Sequence, residues 1–190
     1  GRRLLETPLE LRLRDRDDDF PFCVAWANEN WTRTWDGLDE DVLIGQDHSD
    51  EDDEAIVRDL LRHVEHPAYV RVSGRPLILL YRAALLPNPR RTVDIWRDVA
   101  RRSGAGELYL ATVESFEQAI DMDDPALLGF DASVEFPPHH TGYPIAPPGP
   151  VLNPRFNGRV HDYRQVVLRY LAREPPGHTR FRTVMTGWDN

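Results

Sequence analysis

Lysine is missing altogether: the 23 basic residues of this 190-residue chain are all arginine. A phosphate-binding loop of the Walker type cannot be built without its lysine. We read the bias itself as the codon usage of a GC-rich genome. Cysteine occurs once, at Cys23, which excludes an internal disulfide framework and a cysteine-based zinc site. No apolar run approaches the ~18 residues of a membrane-spanning helix. No basic segment followed by an apolar stretch marks a leader, so the expected location is the cytoplasm. Positive charge is in deficit, with 32 acidic residues and a net charge of −9, which argues against a nucleic-acid partner. Internal repeats and coiled-coil heptads are absent as well.

With 41% hydrophobic residues, the chain can form one domain with a real core, since domains run to ~100–200 residues. It opens at Gly1-Arg2-Arg3 without Met and stops at Gly187-Trp188-Asp189-Asn190, so residues 1–190 are expected to be the central part of one domain, truncated at both ends. Short apolar runs predict strands at Phe20–Ala27, Leu77–Tyr81, Leu108–Val113, Phe130–Phe136 and Phe181–Trp188. Helical spacing predicts helices at 7–16, 51–64, 92–102, 116–120 and 162–173. Ser49 and Asp52 are placed to cap the second of these. Strands alternating with helices, the strands apolar almost throughout, indicate a parallel α/β sheet. No Gly-x-Gly-x-x-Gly follows any strand, so a dinucleotide fold would lack its phosphate-binding turn. The preferred fold is therefore a partial (β/α)8 barrel of about five strands, because a whole barrel needs roughly 250 residues. Residues 137–160, rich in proline and glycine, read as one long loop.

In such barrels the working residues sit at the C-terminal strand ends. Trp26, Asn28, Glu29, Asn30, Trp31 and Trp35 follow the first strand, and Tyr81 with Arg82 the second. Glu114 follows the third. Glu135, His139 and His140 follow the fourth, and Trp188, Asp189 and Asn190 close the fifth. Flat aromatics, amides and carboxylates gathered at one end suit a glycan: rings stack on sugar faces while polar groups bond hydroxyls. Glu29 and Glu135 are the candidate catalytic carboxylates, and a buried Glu135 must be paired. A metal site on Glu135, His139 and His140 is a further reading, but adjacent histidines rarely converge on one ion, so neither metal nor other cofactor is expected. The acidic runs Asp15–Asp19 and Asp50–Glu54 read as a solvated turn and a helix start, and Cys23 as an inert core residue.

Five segments together resemble a known family: FPFCVAWANENWTRTWDG (20–37), VLIGQDHSDEDD (42–53), YVRVSGRPLILLYR (69–82), GFDASVEFPPH (129–139) and FRTVMTGWDN (181–190). They resemble the WbsX-type glycosyltransferase-like proteins, also described as glycoside hydrolase family 99-like, in order along the whole chain. One departure is Gly45, where the family usually carries an acidic residue before the glutamine, here Gln46. The resemblance implies a (β/α)8 barrel acting on glycans or nucleotide sugars, often in surface polysaccharide or O-antigen metabolism. It leaves transfer and hydrolysis open. It also implies a catalytic glutamate pair in a motif beyond Asn190. This chain would then supply substrate-binding residues to an enzyme, or form part of a non-catalytic glycan-binding domain.

Overall fold

The computed structural model describes residues 6–17, 19–33, 38–115, 124–139, 144–153, 156 and 158–187. Its centre is a sheet of five parallel strands: β1 (Val24–Trp26), β5 (Arg75–Leu80), β6 (Tyr109–Glu114), β7 (Ala132–Glu135) and β10 (Arg180–Phe181), hydrogen-bonded in that order. The order in space is the order in the chain, with no reversal. Right-handed crossovers on a sheet built in one direction place every helix on the same face. Thus α2 (Asp50–Leu61), α3 (Pro89–Arg102) and α4 (Tyr163–Leu171) connect successive parallel strands. A shorter helix, α1 (Thr7–Arg14), precedes the sheet.

The strand faces sort by parity. Val24, Ile78, Leu80 and Leu110 join Val57 and Leu61 of α2 and Val93, Trp96 and Val99 of α3 in the main core. Leu77, Tyr109, Ala111 and Ala132 form a smaller cluster on the opposite face, backed by Leu79, Val134 and Phe181. Cys23 packs beside both clusters, and burial pushes its thiol up, as expected of an inert residue. Tyr69 ties the first strands together: its phenol donates to Leu77 O at 2.7 Å and accepts from Val24 N.

Helix starts follow local chemistry. Ser49 Oγ accepts from Asp52 N at 3.1 Å and caps α2. α3 begins earlier than its apolar stripe suggests, because Asn88 Oδ1 accepts from Arg91 N and Pro89 fits the first turn. Gly129, at φ +89°, turns the chain from a 3₁₀ turn at 125–128 into β7.

Among the described residues of the fifth expected strand, Phe181–Trp188, pairing is confined to its start, where Arg180–Phe181 forms β10. Beyond it the ladder is replaced by side-chain bonding, with Thr183 Oγ1 donating to Glu135 O at 2.6 Å. Two hairpins were not foreseen. The residues after β1 form β2 (Trp31–Arg33) against β3 (Leu38–Ile44), and β4 (Arg71–Val72) folds back on β5. Within 137–160, Pro144–Ile145 (β8) pairs with Val160–His161 (β9), fastening both ends of the long loop. The helix expected at 116–120 lies outside the described residues.

Candidate functional site at the strand ends

Asn28 sits 1% exposed at the end of β1 and completes the ladder with its side chain. Its Oδ1 accepts from Arg82 N and its Nδ2 donates to Arg82 O, both at 2.8 Å. This double bond fixes Arg82 where β5 ends, and Arg82 Nη1 meets Glu29 Oε2 at 2.7 Å. The loop bearing Glu29 is held from the other side by Gln46. Gln46 Nε2 donates to Ala27 O and Glu29 O, and Gln46 N donates to Asn30 Oδ1 at 2.7 Å. Gly45 has open space around it.

On the face away from the helices, Tyr81 meets Phe136 edge-on at 5.2 Å, and Phe136 stacks on His139 at 5.4 Å and 22°. All three rings are half-buried. Ser115 Oγ donates to Tyr81 O and ties this row to β6. His139 O accepts from the Tyr170 phenol.

Glu114 and Glu135 are register partners on β6 and β7. By parity they point to the helix-covered face, and they are 4% and 1% exposed. Arg173, just past α4, reaches both: Nη2 lies 2.8 Å from Glu114 Oε2, at an angle outside hydrogen-bond geometry, and Nη1 lies 3.3 Å from Glu135 Oε1. Arg180 Nε adds a second cation 3.3 Å from Glu135 Oε1, and Ser133 Oγ donates to Glu114 Oε1. Two carboxylates and two guanidiniums thus neutralise each other, which is what permits such burial. As register partners on adjacent strands they are the nearest carboxylate neighbours at this end of β6 and β7. Buried beneath Arg173, these two are closed to a sugar.

The sequence-derived residues therefore divide. Asn28, Glu29, Asn30, Tyr81, Arg82, Glu135 and His139 all gather at one end of the sheet, where β1, which leads into Glu29, and β7, which carries Glu135, are three strand spacings apart, about 14 Å at ~4.8 Å each. Glu114 lies at that end but enclosed with Glu135. Trp26 turns to the helix side and tilts against Trp96 at 5.5 Å. Trp31 starts the β2–β3 hairpin, half-buried. Trp35, His140, Trp188, Asp189 and Asn190 lie outside the described residues. Among the described residues no group of three His, Cys, Asp or Glu is placed to hold a metal ion. Sequence reasoning missed Gln46, Arg173, Arg180 and Thr183. Nothing in an arginine's neighbours along the chain tells which carboxylate it will meet.

Among the described residues no helix is long and apolar enough to cross a membrane. The chain matches the family described as Glycosyltransferase WbsX over residues 1–190. It is 42% identical over 191 aligned residues to the uncharacterized protein WxcX of Xanthomonas campestris pv. campestris strain B100. The same identity is found with WxcX of strain ATCC 33913. Each match covers 100% of this chain and 27% of the relative, so the chain spans about a quarter of the length of these curated relatives. No solved structure matches. The match along its whole length establishes that this chain belongs to the glycosyltransferase WbsX family.

Proposed function

We propose that this chain is the central part of a carbohydrate-active (β/α)8 barrel, and that its strand ends bind a glycan or nucleotide-sugar substrate. A sheet whose parallel strands follow chain order, with α2 and α3 packed on one face, is the arrangement expected of an arc of such a barrel and supports this reading. The observation that carries the glycan reading is the strand-end arrangement itself. The ring row Tyr81–Phe136–His139 lies on the helix-free face, and Asn28, Glu29 and Arg82 are fixed at the same end. Rings offer stacking faces, and the Glu29 carboxylate and the Arg82 guanidinium, held in place by the buried Asn28, offer directional bonds to hydroxyls. Membership of the WbsX family supports the same substrate class. Surface polysaccharide or O-antigen metabolism is the setting we infer.

The strand-end carboxylates Glu29, Glu114 and Glu135 each meet an arginine. That favours a binding and scaffolding role for this segment, with the acid–base pair of the whole enzyme supplied from elsewhere in the protein. The same pairing favours, as a second reading, a non-catalytic glycan-binding domain. One experiment separates them: incubate the whole protein with a panel of α-linked mannosides and activated sugar donors. Turnover that Tyr81→Ala reduces at least tenfold supports the enzyme. Saturable binding without turnover supports the second reading. Neither binding nor turnover across the panel would refute both.

A further inference from the structure

Behind the strand-end site lies a set of polar atoms that the glycan reading does not use. Asp53 of α2 is 4% exposed, and its Oδ2 accepts from Thr92 Oγ1 of α3 at 2.6 Å. Its Oδ1 is buried with no hydrogen-bond partner. Trp96, one turn beyond Thr92, is 0% exposed with Nε1 equally unpartnered. His48, between β3 and α2, has its Nδ1 buried and unpartnered as well. Trp26 links two of them, touching Trp96 at 5.5 Å and His48, edge-on, at 5.7 Å. An orphaned acceptor and an orphaned indole donor in one core region are costly unless something joins them.

The valences match a single water. Such a water would accept from Trp96 Nε1–H and His48 Nδ1–H and would donate to Asp53 Oδ1, the about three bonds typical of a buried water. Asp53's carboxyl is raised by its burial, with the Thr92 bond opposing, and His48 lies near enough to bear on it. We propose that Asp53, through one bound water, is the positioning residue that fixes His48 with its proton on Nδ1, so that Nε2 is offered as a hydrogen-bond acceptor to a substrate hydroxyl at the strand-end site. His48 stands beside that site, two residues past the Gln46 that holds the Glu29 loop and edge-on to Trp26 at the end of β1, and its Nδ1 is the enclosed nitrogen. In a neutral imidazole the partner of one nitrogen decides the role of the other. The substrate half of this inference rests on the glycan reading above, whereas the Asp53–His48 half does not.

The test uses the whole protein labelled with 15N-histidine, with the His48 signals assigned by their loss in His48→Gln. Nitrogen shifts at neutral pH report the tautomer. The expected result is a single Nδ1–H tautomer in the wild type, a mixed population in Asp53→Asn, and a shift of the Nε2 signal on adding α-linked mannobiose. Should Asp53→Asn not fold, Trp96→Phe removes the indole donor and should loosen the same tautomer. An Nε2–H tautomer in the wild type, or one indifferent to both variants, overturns the proposal. So does mannobiose shifting the His139 signals while leaving His48 unmoved. A fixed, Asp53-dependent tautomer with no mannoside response anywhere upholds the positioning pair and refutes the glycan reading instead.

Discussion

Arg173 is the cation that joins the buried carboxylates of two adjacent strands, Glu114 and Glu135. It is 8% exposed at its side chain and faces two carboxylates buried almost completely. Removing it leaves Glu114 facing Glu135 with only Arg180 to offset them. Breaking a buried pair from one side costs about 3–5 kcal/mol, so Arg173→Met should lower the urea midpoint by a corresponding amount. Adding Glu114→Gln should recover part of it. A loss below about 1 kcal/mol would show that the network contributes nothing. Asp53 gives a prediction with a pH sign. Burial raises its carboxyl above the ordinary value, so the folded state binds the proton more tightly than the unfolded one. Its contribution to stability is then best in acid and declines as pH rises through the ordinary carboxylate value to the raised one. Asp53→Asn should lack that decline, gaining on the wild type in thermal melts at neutral pH relative to acid. An unchanged difference at both pH values would contradict it.

The elements divide by how local their causes are. α2 was readable because both signals lie within four residues, the stripe Val57–Leu61 and the cap Ser49. Ser49→Ala should cost about 1 kcal/mol, seen as a lower melting temperature. β5 and β6 were readable because strands covered on both faces are apolar throughout. The hairpins were not. A turn pair, Asp36-Gly37, does lie between β2 and β3 in the sequence, but Trp31–Arg33 is only three residues long and carries no alternation of its own. The end of the fifth strand was misread for the opposite reason: apolar residues are there, but Thr183 bonds to Glu135 in place of a ladder. At the site, the gathering of Asn28, Glu29, Tyr81 and Glu135 at one end was legible, since strand ends of a parallel sheet share a side. The facing of Trp26 and Glu135 toward the helices was not, because the phase of a strand is set by register with its neighbours. Gly129 is an element-scale test of the turn into β7. A Cβ there would meet Val93 Cγ1 at 3.0 Å at a φ of +89°. Gly129→Ala should destabilise by about 1–2 kcal/mol, measured by urea unfolding, and a neutral result would place the strain elsewhere.

At the scale of the molecule, the parallel sheet has its helices on one face and a small apolar cluster on the other. The outer strands β1 and β10 each pair on one side only within this sheet. Unpaired edges and an apolar face promote association. The 190-residue chain expressed alone should therefore self-associate with rising concentration in sedimentation, and a sharply melting monomer at all concentrations would count against the barrel arc. The substrate-binding claim is tested most directly by hydrogen exchange of the whole protein with and without an α-linked oligomannoside. The account predicts slower exchange at 26–31, 80–82 and 136–139, the ends of β1, β5 and β7. Protection confined to the opposite end of the sheet, around Arg62, Arg71 and Ala105, with the strand ends unchanged, would contradict it.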